Sequence, residues 1–234
     1  MRKPIIGIVS KYSEGAVGRI NAFIRDEVKN AILDNGGIAI GILTSETTMD
    51  FARNGEDSWP YNLTEEQKED MINEIKLCDG IIFQGGPSSS KFETFLANYT
   101  YLNDIPTLGI CAGQNALIRG VGGEITKVSN PEKHSQDSQQ FVHPIFIKKG
   151  TKFYDIVKKE EMMVNSRHKN CIKDSADKYI VSAVCDDGYF DVIEAPDRTF
   201  NIGVRFHPES LYKVSKEHND IFVAFINSCK DRIK

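Results

Sequence analysis

Charge of one sign is scarce in this chain: 29 Lys and Arg face 33 Asp and Glu over 234 residues, a net charge of −4. A mildly acidic balance argues against nucleic acid or an anionic membrane as the main partner. Long hydrophobic runs are missing too. The longest are strand-sized and cannot span a bilayer, and the run after Met1-Arg2-Lys3-Pro4 is too short for a signal peptide. The expected location is the cytoplasm. Cysteine is limited to five residues, Cys78, Cys111, Cys171, Cys185 and Cys229, with no C-x-x-C among them. That excludes a zinc cage of paired thiolates, and an odd number fits no disulfide framework. A G-x-x-x-x-G-K-[ST] phosphate loop is absent, and Gly120-Val121-Gly122-Gly123 follows a helical stretch instead of opening one. ATP and NAD are therefore not expected, nor is any other cofactor. His134, Asp137 and His143 are close in sequence but offer no tight i,i+4 helical pair and no thiolate, so no metal is expected. Repeats, low-complexity tracts and interdomain linkers are also lacking.

What is present is ordinary globular material, 40% hydrophobic and 26% charged, which rules out wholesale disorder. Residues 1–234 read as one domain. Ile5-Ile6-Gly7-Ile8-Val9 is a β-branched run suited to a strand buried on both faces. Ile20, Phe23, Ile24, Val28, Ile32 and Leu33 then mark one face of a helix, stopped by Asn35-Gly36-Gly37. A strand over 38–43 completes a βαβ unit, which makes the sheet parallel. Residues 44–62 are polar and read as a surface loop. Thr64-Glu65-Glu66-Gln67 is a capping box that opens a helix to about Leu77. A third strand over 80–83 ends in Gln84-Gly85-Gly86-Pro87, a short helix is expected over 91–98, and a fourth strand over 105–110 runs into Cys111. A helix follows to about Arg119. Beyond Gly122-Gly123 the segments 124–128, 141–147, 161–165, 179–185, 189–194 and 201–206 are strand-like. Residues 129–140 read as a mobile loop. A last amphipathic helix covers about 215–230, with Ile221, Phe222, Phe225 and Ile226 as its stripe. The fold class is α/β: a doubly wound, mostly parallel sheet with additional strands in the C-terminal half.

Three short segments carry the chemistry. In Gly109-Ile110-Cys111-Ala112-Gly113, small residues flank a nucleophile at a strand-to-helix junction and permit a tight, strained turn. The helix N-terminus that follows favours thiolate. In Gly203-Val204-Arg205-Phe206-His207-Pro208-Glu209, His207 suits a base toward a thiol and a proton donor to a leaving amine. Glu209, two residues on, projects to the same side of an extended chain and can orient the imidazole. In Gln84-Gly85-Gly86-Pro87, two glycines free backbone N–H groups to face a site. The N–H groups of Gly86 and Ala112 are the candidate oxyanion donors.

Taken in this order and spacing, Gly-Gly-Pro, Gly-Ile-Cys-x-Gly and Gly-Val-x-x-His-Pro-Glu resemble the class I glutamine amidotransferase superfamily. Pro4-Ile5-Ile6-Gly7-Ile8, Cys78-Asp79-Gly80-Ile81-Ile82 and Val164-Asn165-Ser166-Arg167-His168 bring the chain nearest to the stand-alone γ-glutamyl-γ-aminobutyrate hydrolases, which are peptidase C26-like. The resemblance implies a flavodoxin-like core and thiol hydrolysis of a γ-glutamyl amide, with Cys111 as nucleophile, His207 as base and Glu209 as its partner. It implies substrate contacts from Gln114, Asn115, Ser166, Arg167 and His168.

The chain also departs from that pattern. Ala112 stands where the family commonly has Arg, and Asn115 where it commonly has Gln, with a Gln one place earlier at Gln114. His168-Lys169-Asn170 replaces His-His-Gln, and Arg205-Phe206 replaces Gln-Trp. These changes surround the substrate, not the reaction centre. The expected activity is cofactor-free hydrolysis of a γ-glutamyl amide or isopeptide, in a chain that could form a homodimer. One alternative is a glutaminase that delivers ammonia to a separate synthetase, since 234 residues leave no room for a synthetase domain. Another is a glutamyl-ligand binding module with weak turnover, motivated by Ala112 and Asn115.

Overall fold

The computed structural model describes residues 2–15, 18–44, 63–86, 90–138 and 140–233. The chain opens with β1 (Ile5–Val9), then an antiparallel pair, β2 (Lys11–Glu14) and β3 (Ile20–Phe23), before α1 (Asp26–Asp34) and β4 (Ile38–Ile42). The helix expected from Ile20 onward therefore starts only at Asp26. The apolar spacing across 20–33 has helical period, but tertiary hydrogen bonds capture the first part. Gln84 donates Nε2 to the carbonyls of Val9 and Phe23, each at 3.0 Å, and accepts from the Arg25 N–H at 2.8 Å. Ile20 and Leu33 are exposed; Val28 and Ile32 are buried. The expected surface loop over 44–62 lies almost wholly outside the described residues.

Next come α2 (Glu65–Lys76), β5 (Gly80–Phe83), α3 (Lys91–Leu102), β6 (Thr107–Ile110) and α4 (Ala112–Gly120). The capping box of α2 is formed, with the Thr64 hydroxyl accepting from the Gln67 N–H and the Gln67 side chain accepting from the Thr64 N–H. The third helix runs a turn beyond the expected 91–98. The second half contains β7 (Glu124–Lys127), α5 (Pro131–His134), β8 (His143–Ile147), α6 (Lys152–Val157), β9 (Glu161–Val164), β10 (Asn170–Asp174), β11 (Ile180–Cys185), β12 (Phe190–Glu194), β13 (Asn201–Val204) and α7 (Lys216–Arg232), with a 3₁₀ turn at Pro208–Ser210. The stretch 129–140, expected as a loop, contains α5, and His134 at its end is buried. In this second half, α6 and β10 have no counterpart in the sequence pattern. The first, α6, has only six residues, and its N-terminus is capped by Thr151 and by the distant carboxylate of Glu194, which accepts from the N–H groups of Lys152 and Phe153. The second, β10, pairs with β7 in a separate two-stranded sheet.

The main sheet has nine strands in the order β4-β1-β5-β6-β13-β12-β11-β8-β9. The first five are mutually parallel and the remaining pairs are antiparallel. Counted along the chain, the parallel half has the flavodoxin order 2-1-3-4-5. Alternate residues of each strand face opposite layers. Ile82 packs with Val28 and Ile32 of α1 and Phe222 and Phe225 of α7. Its neighbours Ile81 and Phe83 pack with Met71 of α2, Leu96 of α3 and Leu117 of α4. Each fully buried Phe or Leu contributes about 2–3 kcal/mol, so both layers are held by burial rather than by surface ion pairs. Open parallel sheets receive ligands at the carboxyl ends of their strands, and there the three motif segments end.

Candidate active site

The register of β5, β6 and β13 brings the motifs together. Phe83 pairs with Gly109 and Ile110 pairs with Val204, so Gly85, Cys111 and His207 leave adjacent strands at one edge. The Cys111 N–H donates to the Val204 carbonyl at 2.8 Å, one step past the strand ends. Cys111 then turns to φ 51°, ψ −102°, a conformation that L residues avoid, and serves as N-cap of α4. The turn is tight because Gly113 packs directly on the backbone of Phe83. A Cβ there would overlap the Phe83 carbonyl oxygen.

The His207 ring and the Cys111 side chain both border Gly85, and His207 Nδ1 lies 2.7 Å from Glu209 Oε1. All three side chains are buried. The 3₁₀ turn at Pro208–Ser210 swings Glu209 back under the ring. Asn165 fixes the backbone at this point: its Oδ1 accepts from the His207 N–H at 2.7 Å and its Nδ2 donates to the His207 carbonyl at 2.9 Å. Asn165 belongs to the Val-Asn-Ser segment, yet sequence reasoning assigns it no positioning role. The signal is there, in an Asn among residues that read as a strand.

Electrostatics separates Cys111 from the other cysteines. Burial pushes its thiol up, but the charge and hydrogen bond of His207, with Arg205 behind them, bring it below the ordinary thiol value. Burial pulls His207 down. Glu209 and Cys111 outweigh that, through charge and hydrogen bonds, and lift the imidazole from 6.5 to about 10. Burial drives Cys78 up to about 12 and raises Cys171, Cys185 and Cys229. One thiol of five is thus disposed to ionise beside a cationic imidazole.

A cavity of about 640 Å³ opens over Cys111, lined among others by Gly86, Ala112, Asn115, Arg167, His168 and Arg205. Gly86 adopts φ +147°, and a side chain there would press on Lys11, which is buried in an ion pair with Glu93 at 2.6 Å. Gly85 faces the ring itself: its Cβ would lie 2.6 Å from His207 Cε1. Pro87 lies outside the described residues. Among the anticipated substrate residues, Asn115, Arg167 and His168 line the cavity. Gln114 does not; its Nε2 donates to the carbonyls of Gly203 and Asp191. Ser166 is also turned away, donating to the His134 carbonyl at 3.0 Å. Arg205, which stands in the segment Arg205-Phe206, is buried at the cavity wall. It is 1% exposed, donates Nη1 to Asn115 Oδ1 at 2.7 Å, and its Nε and Nη2 have no hydrogen-bond partner among the described residues. With Lys127, Arg167 and Lys169 it makes the cavity wall cationic against Asp137. Asp137 is exposed, and His134 and His143 meet His168 instead.

The peptidase C26 family model matches residues 87–209, more than half of the chain. The chain belongs to the peptidase C26 family. Its relatives are of the class I glutamine amidotransferase type. It is 30% identical over 158 residues to a chain of the glutamine-hydrolysing GMP synthase of Picrophilus torridus, covering 65% of this chain and 78% of that one. It is 26% identical over 195 residues to the CTP synthase of Chlamydia trachomatis serovar L2, covering 70% of this chain and 36% of the relative. The chain thus spans about a third of the length of the CTP synthases it matches. The γ-glutamyl-γ-aminobutyrate hydrolase of Escherichia coli O157:H7 is 23% identical and aligns over 100% of this chain and 96% of its own length. The fold matches the glutaminase domain of Trypanosoma brucei CTPS with a TM-score of 0.65 at 17% identity, over 97% of this chain and 94% of that one. Among the described residues no helix is long and apolar enough to cross a membrane.

Proposed function

We propose that this C26 protein hydrolyses a γ-glutamyl amide or isopeptide bond through a γ-glutamyl thioester on Cys111. The observation that carries the reading is a Cys111 held on a strained backbone, its thiol lowered by the charge of a buried His207 ring that Glu209 holds from behind. The Cys111 thiolate attacks the γ-carbonyl carbon, and the N–H groups of Gly86 and Ala112 receive the oxyanion. Collapse breaks the C–N bond, and the imidazolium of His207 gives its proton to the departing amine. A water then loses a proton to His207 and attacks the thioester carbonyl. Glutamate leaves and the thiolate is restored beside a protonated imidazole. The free N–H groups of Arg205, with Arg167 and Lys169 nearby, suit the α-carboxylate of the substrate.

A second reading rests on the CTP and GMP synthase relatives: glutamine hydrolysis with ammonia passed to a separate synthetase. Glutamate release from a panel of γ-glutamyl amines, dipeptides and glutamine, measured beside Cys111→Ala, separates the two. Release from γ-glutamyl amines, lost in the variant, supports the hydrolase. Release from glutamine alone, accelerated by a partner chain, supports the glutaminase. Full activity in Cys111→Ala overturns both.

A further inference from the structure

Beside the cavity, three histidines from three separate elements converge. His134 ends α5, His143 begins β8 and His168 follows the turn after β9. They are 1%, 8% and 4% exposed. The rings of His143 and His168 stand 5.4 Å and 4.8 Å from that of His134, centroid to centroid, and the three offer ligand atoms within 4.8 Å of one another.

The hydrogen bonds fix where the protons sit. His134 Nε2 lies 3.0 Å from Asp187 Oδ2, His143 Nδ1 lies 3.1 Å from the Pro144 carbonyl, and His168 Nδ1 lies 3.0 Å from the Asn170 carbonyl. Each of these partners is an acceptor, so each of these nitrogens carries an N–H, and in that tautomer the opposite nitrogen is the one that can coordinate a cation. The remaining nitrogens, His134 Nδ1, His143 Nε2 and His168 Nε2, are buried without a hydrogen-bond partner among the described residues. Each is then a bare lone pair. Three buried acceptors cannot satisfy one another, and a single water, with two protons, would leave one unmet. A cation satisfies all three. Outer nitrogens held by a carboxylate and two carbonyls are also the arrangement that orients imidazoles toward a metal. The buried carboxylate of Asp191, its Oδ2 unpartnered among the described residues, lies within electrostatic reach of His143 and His134. Asp187, held below the usual carboxylate range despite its burial by hydrogen bonds from Cys185 and His134, sets a negative group beside the cluster.

We propose that His134, His143 and His168 bind one divalent transition-metal ion of the Zn²⁺ class. Three imidazoles suit such an ion and not Mg²⁺ or Ca²⁺, which take oxygen ligands. Zn–N bonds of about 2.0–2.1 Å require each ring to move inward by under about 1 Å from the observed spread. The ion ties α5, β8 and the turn after β9 together. It thereby braces the cavity wall that includes Arg167 and His168. The site is separate from the Cys111–His207 chemistry, and its failure would leave that reading standing.

The test strips the full chain with a chelator and titrates it with Co²⁺, a visible stand-in for Zn²⁺, in a Cys111→Ser background that removes the ionisable thiol. The expected result is one equivalent bound per chain, with visible d–d bands, no thiolate charge-transfer band and a raised unfolding temperature. His143→Asn removes a ligand and should abolish the bands. Asp187→Asn keeps all three ligands and the fold while weakening binding about 10–100-fold. Absence of stoichiometric binding, or binding of unchanged affinity in both variants, would overturn the proposal.

Discussion

At Cys111 the thiolate is favoured by two neighbours and opposed by burial, and the neighbours win. With Cys111 lowered and His207 raised to about 10, the pair is biased toward thiolate and imidazolium. The midpoint for alkylation of Cys111 by iodoacetamide should therefore lie below the ordinary thiol value, and it should move up in His207→Ala. Turnover should fall as pH rises through about 10, because the proton owed to the leaving amine is then gone. Gly85→Ala tests the space around the ring: a Cβ 2.6 Å from His207 Cε1 should displace the imidazole and lower kcat about 100-fold. Circular dichroism would show an unchanged fold. The residues proposed to react are readable in the sequence because elbow, His-Pro-Glu and glycine pair have fixed local spacing. Arg205 is not, since its burial depends on the neighbouring elements that enclose it, and neither is the choice between Gln114 and Asn115. Only the helix phase of α4 turns Asn115 to the cavity and Gln114 to the carbonyls of Gly203 and Asp191.

At the scale of elements, the site depends on how closely α4 approaches β5. Gly113→Ala drives a methyl into the Phe83 carbonyl, so α4 must shift. An unfolding loss of about 3 kcal/mol is expected by urea titration, together with lost activity. The parallel strands and α7 are legible from β-branched runs and the Ile221, Phe222, Phe225, Ile226 stripe, all of which is buried. The sequence misplaces the start of the first helix for a physical reason. Apolar period is a local signal, whereas β3 is held by β2 and by Gln84, which lies far along the chain. Likewise α6 depends on the remote Glu194 carboxylate and β10 on β7, and neither partner is marked in the local sequence.

For the whole molecule, His218 and His207 make stability depend on pH with opposite signs. Burial pulls His218 from 6.5 to about 4, partly offset by Glu217. The unfolded chain takes up that proton first, so stability is lost as pH falls from 6.5 toward 4. His207 has the opposite sign: its contribution is full below 6.5 and lost as pH rises through about 10. His218→Leu should remove up to about 3 kcal/mol of the acid-side loss, read as a flatter dependence of unfolding free energy on pH below about 6.5. The same architecture also brings Cys111, His207 and Gly85-Gly86 to one sheet edge, where the proposed chemistry acylates Cys111. The most direct measurement is mass spectrometry of acid-quenched protein after brief mixing with a γ-glutamyl amide. A glutamyl residue attached to the Cys111 peptide, absent from Cys111→Ala and from protein kept without substrate, is the predicted result. Glutamate released with no adduct at Cys111, and at the same rate in Cys111→Ala, would contradict it.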